Sequence, residues 1–370
     1  MLNNANNYAS TTLAGGVLQL GGVGALGSGT VTVNSASTLQ GAFGITLANN
    51  IQLNSGLTLA GSPALTLNGT VSGGGSLSKS GAGVLTLNGA NNFSGGFNLN
   101  AGNVVLASAA SIGSGTITVT GGSLDPESAV STLTNNMVLN GALTLPGRFD
   151  LALSGTLSGN GSLVKNGTTN LTLSGTNNFG GGVTLSGGKL TLGNSSAMGG
   201  GTLALTGNAT LEATTDLALV NQINLGNLGN NLLTLNNTGA MVLSGDIAGN
   251  TGRLTKTNLG DLTLSGNNSF GGGVTIQSGK LIIGHDNALG SSILFASTGT
   301  SIESDATRSV SNTVSLTGNV NFGGSNQLTL SGLVTGTGQV SKNGSGTLIL
   351  GGSNAFQGGV NLNGGKHVMR

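Results

Sequence analysis

Short runs in which apolar and polar residues alternate recur along the chain. Residues 85–87, 171–173, 262–264 and 348–350 each have Leu at both ends and one other residue between. Alternation with period two places the Leu side chains on one face of a strand. Each run is followed by Asn, Ser or Gly, which favour turns. The pattern predicts many short β-strands, and no segment has the period of an amphipathic helix.

A longer repeat overlies this alternation. Aromatic residues recur at intervals of 85, 86, 91 and 86 residues, with an Asn two positions before each. In the four complete copies a Lys precedes the aromatic residue by 14 positions and a Gly by 18. The block Ala-Leu-Gly, or a variant of it, begins near residues 25, 112, 197 and 288. The repeated residues are Tyr8, Phe93, Phe179, Phe270 and Phe356; Asn6, Asn91, Asn177, Asn268 and Asn354; Lys79, Lys165, Lys256 and Lys342; Gly75, Gly161, Gly252 and Gly338.

Three-residue strands cannot fold alone, but coils that stack pair every backbone group with the coil above and below. A repeat of 86 residues would be four coils of roughly 21 residues, a normal solenoid period. The sequence therefore predicts an all-β fold, a right-handed single-stranded parallel β-helix (β-solenoid) of about 17 coils. The interval of 91 residues predicts an insertion around residues 221–237. A β-sandwich or propeller is the competing fold, but propeller blade signatures such as Trp-Asp are absent.

We expect one β-helix over residues 1–370, with repeat boundaries near 1–64 (partial), 65–150, 151–240, 241–327 and 328–370 (partial). The first residues lack the basic and apolar regions of a secretory signal peptide, and no run approaches 18 apolar residues. If the chain is exported, we expect a fragment, a mature segment or an export signal elsewhere, with no membrane insertion by this segment. Neither terminus shows a solenoid cap, which leaves a fragment and a complete filament subunit as open alternatives.

Composition narrows the class of protein. Gly provides 71 of 370 residues without a collagen period, and charged residues provide 6%. A hydrophobic content of 36% argues against disorder. The net charge is +1 and no basic run exists, so a nucleic-acid partner is not expected. The absence of Cys excludes disulfides and thiolate metal sites.

The repeat resembles a known family at the level of its motif. The string Gly-x-Leu-x-Lys-x-Gly-x-Gly-x-Leu-x-Leu-x-Gly-x-Asn-x-[Phe/Tyr]-x-Gly-Gly, nearly complete in residues 338–359, resembles the autotransporter-associated β-strand repeat, or passenger-associated transport repeat. That resemblance implies the passenger β-helix of a type V secreted protein of Gram-negative bacteria, with no catalytic residue. Copy two departs from the motif at Thr168-Thr169-Asn170, copy three at Leu259-Gly260, and His367 stands where Leu or Val is expected.

Candidate chemistry is sparse. We expect the four repeated lysines to be solvated turn residues that discourage edge pairing. Carboxylate pairs suit polysaccharide cleavage, yet neither Asp125 with Glu127 nor Arg148 with Asp150 has a third partner one coil away. The remaining acids are Glu212, Asp216, Asp246, Asp261, Asp286, Glu303 and Asp305. His285 and His367 are too few for a metal site. Thr30-Val-Thr32 and the Thr116, Thr118 and Thr120 series weakly resemble ice-binding ranks.

We therefore expect no catalytic, cofactor-binding or metal-binding residues, no cofactor, and no enzymatic activity. The favoured function is an extracellular structural or adhesive β-helix, the passenger stalk of an autotransporter-like protein. The alternatives are a filament subunit that stacks head to tail and, less favoured, a polysaccharide-active enzyme. Expected partners are other copies of the chain, end to end, or polysaccharide or host surfaces. The expected location is the exterior or outer-membrane surface of a Gram-negative bacterium.

Overall fold

The computed structural model describes residues 1–128 and 131–369. The chain forms two compact units, unit 1 (Met1–Gly182) and unit 2 (Val183–Arg370). In each unit, strands pair in parallel with the strands one coil before and after. The chain makes about 18 turns, against about 17 expected, and the predicted all-β solenoid is confirmed.

Each coil of unit 1 passes through three sides, called A, B and C in chain order. Side A contains β1 (Ser10–Leu13), β3 (Thr30–Val33), β6 (Ile51–Leu53), β9 (Val71–Gly73), β16 (Ser131–Leu133), β19 (Leu151–Leu153) and β22 (Asn170–Leu173). Side B contains β2 (Gly16–Leu20), β4 (Ser37–Gly41), β7 (Leu57–Ala60), β10 (Leu77–Lys79), β12 (Phe97–Leu99), β14 (Ile117–Val119), β17 (Met137–Leu139) and β20 (Leu157–Ser158). Side C contains β5 (Ile45–Leu47), β8 (Leu65–Leu67), β11 (Val84–Leu87), β13 (Asn103–Leu106), β15 (Ser123–Pro126), β18 (Leu143–Leu145) and β21 (Leu163–Lys165). A short 3-10 helix, Ala109–Ile112, takes the place of a strand on side A.

The coils of unit 2 pass through sides D, E and F. Side D contains β24 (Lys189–Leu192), β26 (Ala209–Ala213), β29 (Leu232–Asn237), β32 (Arg253–Thr257), β34 (Val274–Ile276), β36 (Leu294–Ala296), β39 (Val314–Leu316), β42 (Val334–Gly336) and β45 (Ala355–Phe356). Side E contains β27 (Leu217–Leu219), β30 (Met241–Leu243), β33 (Asp261–Leu264), β35 (Lys280–Ile283), β37 (Ser301–Ser304), β40 (Val320–Phe322), β43 (Val340–Lys342) and β46 (Val360–Leu362). Side F contains β23 (Val183–Leu185), β25 (Leu203–Leu205), β28 (Ile223–Asn224), β31 (Ile247–Ala248), β38 (Arg308–Val310), β41 (Leu328–Leu330), β44 (Thr347–Leu350) and β47 (Lys366–Met369).

The core consists of ladders of identical positions. On side B, Leu57, Leu77, Phe97, Ile117 and Met137 lie one above another, and all five are fully buried. Burying one such side chain contributes about 1.5–3 kcal/mol. The predicted inward direction of the alternating Leu residues is therefore confirmed, because both Leu residues of strands such as β8, β22, β33 and β44 are buried and most of the residues between those Leu pairs are not.

The coil is shorter than the sequence interval implied. From β4 to β20, paired positions on side B lie 20 residues apart, not roughly 21. A repeat of 86 residues therefore exceeds four coils by about a third of a coil, which is one side. In unit 1, Lys79 ends a strand of side B and Lys165 ends a strand of side C. In unit 2, Lys256 lies on side D and Lys342 on side E.

The longest interval of the repeat has its predicted cause. Ile223 pairs with Ile247, whereas Leu233 pairs with Leu254, so the coil that begins at Ile223 is longer than the coil that begins at Leu233. The extra residues fall mainly between β28 and β29, inside the predicted range of 221–237. Leu228 is exposed there and Asn230 has a positive φ of 51°. The insertion is a surface loop that leaves the register of the ladders intact.

Candidate functional site

The four repeated lysines lie inside the solenoid. Lys79, Lys165, Lys256 and Lys342 are each no more than 3% exposed. The expectation that they are solvated turn residues is wrong. Each stands two positions after an inward Leu or Val, so strand alternation points it inward too.

Backbone carbonyl groups surround the buried ammonium groups. Lys79 Nζ donates to the carbonyl oxygens of Gly81 at 2.7 Å, Ser80 at 3.1 Å and Ala101 at 3.3 Å. Lys165 Nζ donates to the carbonyls of Asn166 at 2.8 Å and Gly167 at 3.2 Å. Most of these acceptors lie at the turn that follows the strand, where carbonyl groups leave the ladder. The ammonium group therefore replaces missing ladder bonds at a corner.

The third and fourth copies repeat the arrangement. Lys256 Nζ donates to the carbonyls of Asn258 at 3.0 Å and Thr257 at 3.4 Å, and to Asn237 Oδ1 at 3.5 Å. Lys342 Nζ donates to the carbonyl of Gly344. None of the ion pairs among the described residues includes a repeat lysine. We call each lysine with its carbonyl acceptors a lysine cage.

A glycine from the next coil covers three of the cages. A Cβ atom on Gly102 would lie 2.6 Å from Lys79 Nζ, and one on Gly279 or Gly365 would lie 2.9 Å from Lys256 or Lys342 Nζ. The three glycines also have positive φ angles of 79°, 74° and 67°. Both the space and the backbone angle require glycine. A residue of the next coil therefore closes each of these cages.

Burial changes the acidity of the caged ammonium groups. Desolvation lowers the pKa of Lys256 from 10.5 to about 8, and the Asp261 carboxylate only partly offsets it. Desolvation also lowers the pKa of Lys79, Lys165 and Lys342 below the ordinary value. Carbonyl dipoles thus compensate incompletely for the lost water.

The repeated asparagine forms a second part of the site. Asn268 is buried, and its Oδ1 accepts the backbone N–H of Ile247 at 2.8 Å while its Nδ2 donates to the carbonyl of Ala288 at 2.7 Å. Asn91 makes the corresponding bonds with Val71 and Ser111. The two contacts join the coil below to the coil above where the middle coil has no strand. Phe93 and Phe270, two positions after Asn91 and Asn268, are fully buried, and so is the equivalent Phe179.

Sequence reasoning missed another set of asparagines. Asn312 Nδ2 donates to the carbonyls of Gly290 and Ser292 at 3.0 and 2.7 Å. Asn49, Asn135 and Asn221 make the same pair of bonds to the Ala-Leu-Gly block or its variant one coil earlier. Their spacings of 86, 86 and 91 residues match those of the aromatic residues to within one residue. That spacing was the signal that could have found them.

The acidic candidates have structural partners. Asp125 is buried beside Arg148, whose guanidinium lies 3.3 Å from its Oδ2. The expectation of no matching partner one coil away is wrong for Asp125, because the corner after β18 brings Arg148 back over β15. Burial raises the pKa of Asp125, and Arg148 opposes the rise. Glu127 and Asp150 do not join this pair, and Asp150 accepts the backbone N–H of Asn170 instead.

The other acids link neighbouring coils. Asp216, Asp246 and Asp286 each accept a backbone N–H from the following coil. The remaining ion pairs are Glu212 with Lys189 at 2.9 Å, Lys280 with Asp261 at 3.4 Å and with Glu303 at 3.5 Å, and Arg308 with Asp305 at 2.8 Å. Through these contacts the carboxylates hold neighbouring coils or corners together.

The histidine and threonine candidates each have their own local contacts. His285 Nδ1 accepts the N–H of Asn287. His367 pairs with Leu348 in the ladder, and burial together with the charge of Lys342 lowers the pKa of His367. Thr118 lies between Asn98 and Val138, so its neighbours do not form a threonine rank. Among the described residues, no three His, Asp or Glu residues gather as metal ligands. No described helix has the length and apolar character needed to cross a membrane.

These features define a parallel β-solenoid repeat protein whose corners are closed by buried lysines and asparagines. A family model, the passenger-associated transport repeat, matches residues 77–106, 163–192, 254–283 and 340–366. Four segments of the chain thus match this repeat, and the repeat family implies a secreted or surface-exposed protein of a Gram-negative bacterium. Each match begins two positions before a caged lysine, and the matches include Gly102, Gly279 and Gly365, which close three of the cages. No curated protein and no solved structure matches the chain.

Proposed function

We propose that the chain is an extracellular structural or adhesive β-helix, the passenger stalk of an autotransporter-like protein. The observation that supports this most directly is the coincidence of the four family matches with the lysine cages. In this chain, the segments that match the family thus contain the lysines and glycines that close the coils and help to stack them. A chain built from such segments supplies length and surface rather than a catalytic centre.

We also propose that the chain is not an enzyme. Support comes from the acids, since nine of the ten carboxylates are held by ion pairs or backbone N–H groups. General acid and base catalysis needs carboxylates free to exchange protons with a substrate. Incubation with pectin, alginate and xylan should show no turnover. Turnover that Asp125→Asn abolishes would contradict this part of the proposal.

Display at the cell surface is the test of the stalk proposal. The chain would be fused between an autotransporter signal peptide and translocator domain in a Gram-negative host, with an epitope beside Leu228, which is 87% exposed. We expect the antibody to label intact cells and added protease to remove the label. A label that appears only after permeabilisation, while a control passenger reaches the surface, would contradict the proposal. Sedimentation of the released chain distinguishes single stalks from head-to-tail filaments.

A further inference from the structure

Side F of unit 2 contains a concave surface. Between β31 and β38, two successive coils have turns on this side in place of strands, at residues 268–270 and 288–290. A cavity of about 640 Å³ lies against these turns, and a second of about 390 Å³ lies over the preceding coils. Ser269 lines both cavities, so the two adjoin at this residue, and we call them together the groove. The groove passes from Thr202 to Thr313 over six coil levels, about 24 Å at the usual spacing.

Hydroxyl and carboxamide groups dominate the groove. Its lining includes Thr202, Gln222, Asn224, Asn287, Ser292 and Ser311. Asn268 is committed to backbone partners in both directions. The hydroxyls of Ser292, Ser311 and Thr313 make no hydrogen bond within the described part of the chain, and all three residues are at least partly exposed. These groups can donate to and accept from a ligand rich in hydroxyls.

Charge and apolar surface narrow the class of ligand. No Lys, Arg or His lines the groove, and its one carboxylate, Asp246, already accepts the N–H of Asn267 at 2.8 Å. An acidic polymer would find no cation to pair with and would meet that carboxylate. Ile293 is the one partly exposed large apolar side chain of the lining. Peptide docking relies on apolar anchors in pockets, which this surface does not offer.

We propose that the groove on side F, between Thr202 and Thr313, binds a strand of neutral polysaccharide. The inference deepens the proposed function and rests on it, since an extracellular stalk meets such polymers at cell surfaces. Rows of hydroxyl and carboxamide groups repeat at the coil spacing, which suits a linear polymer that lies along the stack. Binding should be weak for one groove, because the contacts are polar and water competes for them.

The test uses purified chain titrated with neutral hexasaccharides, cellohexaose, xylohexaose and mannohexaose, and with hexagalacturonate as a charged counterpart of equal length. Ser269→Trp fills the point where the two cavities meet. Thr263→Trp, on the outward face of β33 on side E, is the matched control. We expect at least one neutral hexasaccharide to bind the parent and T263W, at least tenfold weaker binding to S269W, and no binding of hexagalacturonate.

Any one of three results would contradict the proposed polysaccharide site: no neutral hexasaccharide binds, S269W binds like the parent, or hexagalacturonate binds as well as the neutral ligands. Ser311→Gln provides a second variant at an exposed position, should S269W fail to fold. It should weaken binding at least threefold with an unchanged melting temperature. A negative titration combined with normal surface display would reject the groove and leave the stalk proposal standing.

Discussion

At the residue scale, the caged lysine is the least expected feature of the chain. A buried ammonium group loses its hydration, and carbonyl acceptors restore only part of that free energy. The repeat nevertheless places one such group in each of its four copies. In three of the four copies the next coil brings a glycine over the Nζ atom and closes the cage, so the lysine and that glycine form one structural unit.

Strand alternation predicts that the lysine side chain points into the solenoid. Its positive charge favoured the opposite expectation, a side chain in solvent. Leu77 and Lys79 are two positions apart and therefore share the inward face. What the sequence could not reveal was the set of acceptors, because Ala101 comes from the next coil and the carbonyls of Ser80 and Gly81 become available only in the folded turn.

Stability should rise with pH through the titration range of the cages. The pKa of Lys256 is about 8 in the folded chain against 10.5 ordinarily, so between these values the unfolded chain binds more protons. The free energy of unfolding should then increase on the order of 2 kcal/mol from pH 8 to pH 10.5. Urea unfolding at several pH values should show this rise. Lys256→Met should make the rise smaller, because the pKa of the other three caged lysines is lowered as well. Lys366→Met, at an exposed position, should leave the rise unchanged, and equal slopes in all three chains would contradict the cage of Lys256.

Gly279 should be far less replaceable than a glycine of the same conformation in open space. Gly279→Ala puts Cβ 2.9 Å from Lys256 Nζ and 2.7 Å from the Asn258 carbonyl oxygen, at a φ of 74°. Gly299→Ala has a similar φ of 79° and nothing within 4 Å. Both variants strain the backbone angle, but only G279A disturbs a cage. We expect G279A to lose about 1–3 kcal/mol more, measured by urea unfolding; equal losses would show that the backbone angle alone selects glycine.

At the element scale, the asparagine side chains replace missing strands. A coil with a turn in place of a strand leaves backbone N–H and C=O groups unpaired on the coils above and below. Asn268 pairs with both neighbours, and Asn312 pairs with two carbonyls of the turn itself. The sequence predicted the short strands, their inward Leu residues and the insertion before β29. The sequence identified Asn268 as a repeated residue but did not reveal its role, because that role depends on which coils lie next to it.

Asn268→Ala should therefore destabilise the chain much more than the same change at its neighbour Asn267. The first substitution leaves the Ile247 N–H and the Ala288 carbonyl without partners inside the solenoid. Each unpaired buried group costs about 1–3 kcal/mol, so a loss of at least about 2 kcal/mol is expected from N268A. Asn267 is exposed and its side chain accepts from Asn287, so N267A should stay within about 0.5 kcal/mol of the parent. Thermal or urea unfolding measures both losses. Similar losses for the two variants would contradict the claim that Asn268 stabilises the stacking of coils.

At the scale of the whole molecule, the repeat is out of phase with the coil. Because 86 residues exceed four 20-residue coils by about one side, successive cages within each unit stand on successive sides. The repeat interval indicated the fold class but suggested four whole coils. A single repeat length fits either four coils of about 21 residues or four and a third coils of 20 residues, so the sequence alone could not choose between them. The strand pairing shows that the coil has 20 residues. Within each unit, it places the cages too far apart to bind a common ligand.

The most direct test of the buried cages is the rate at which each lysine reacts with an amine-specific acetylating reagent, read residue by residue by mass spectrometry. Lys366 is exposed and Lys189 is 38% exposed at its side chain, so both serve as internal references. We predict that Lys366 and Lys189 react quickly in the native chain, that Lys79, Lys165, Lys256 and Lys342 are protected by at least a hundredfold, and that all react alike in denaturant. Repeat lysines that react as fast as Lys366 in the native chain would contradict the inward cages.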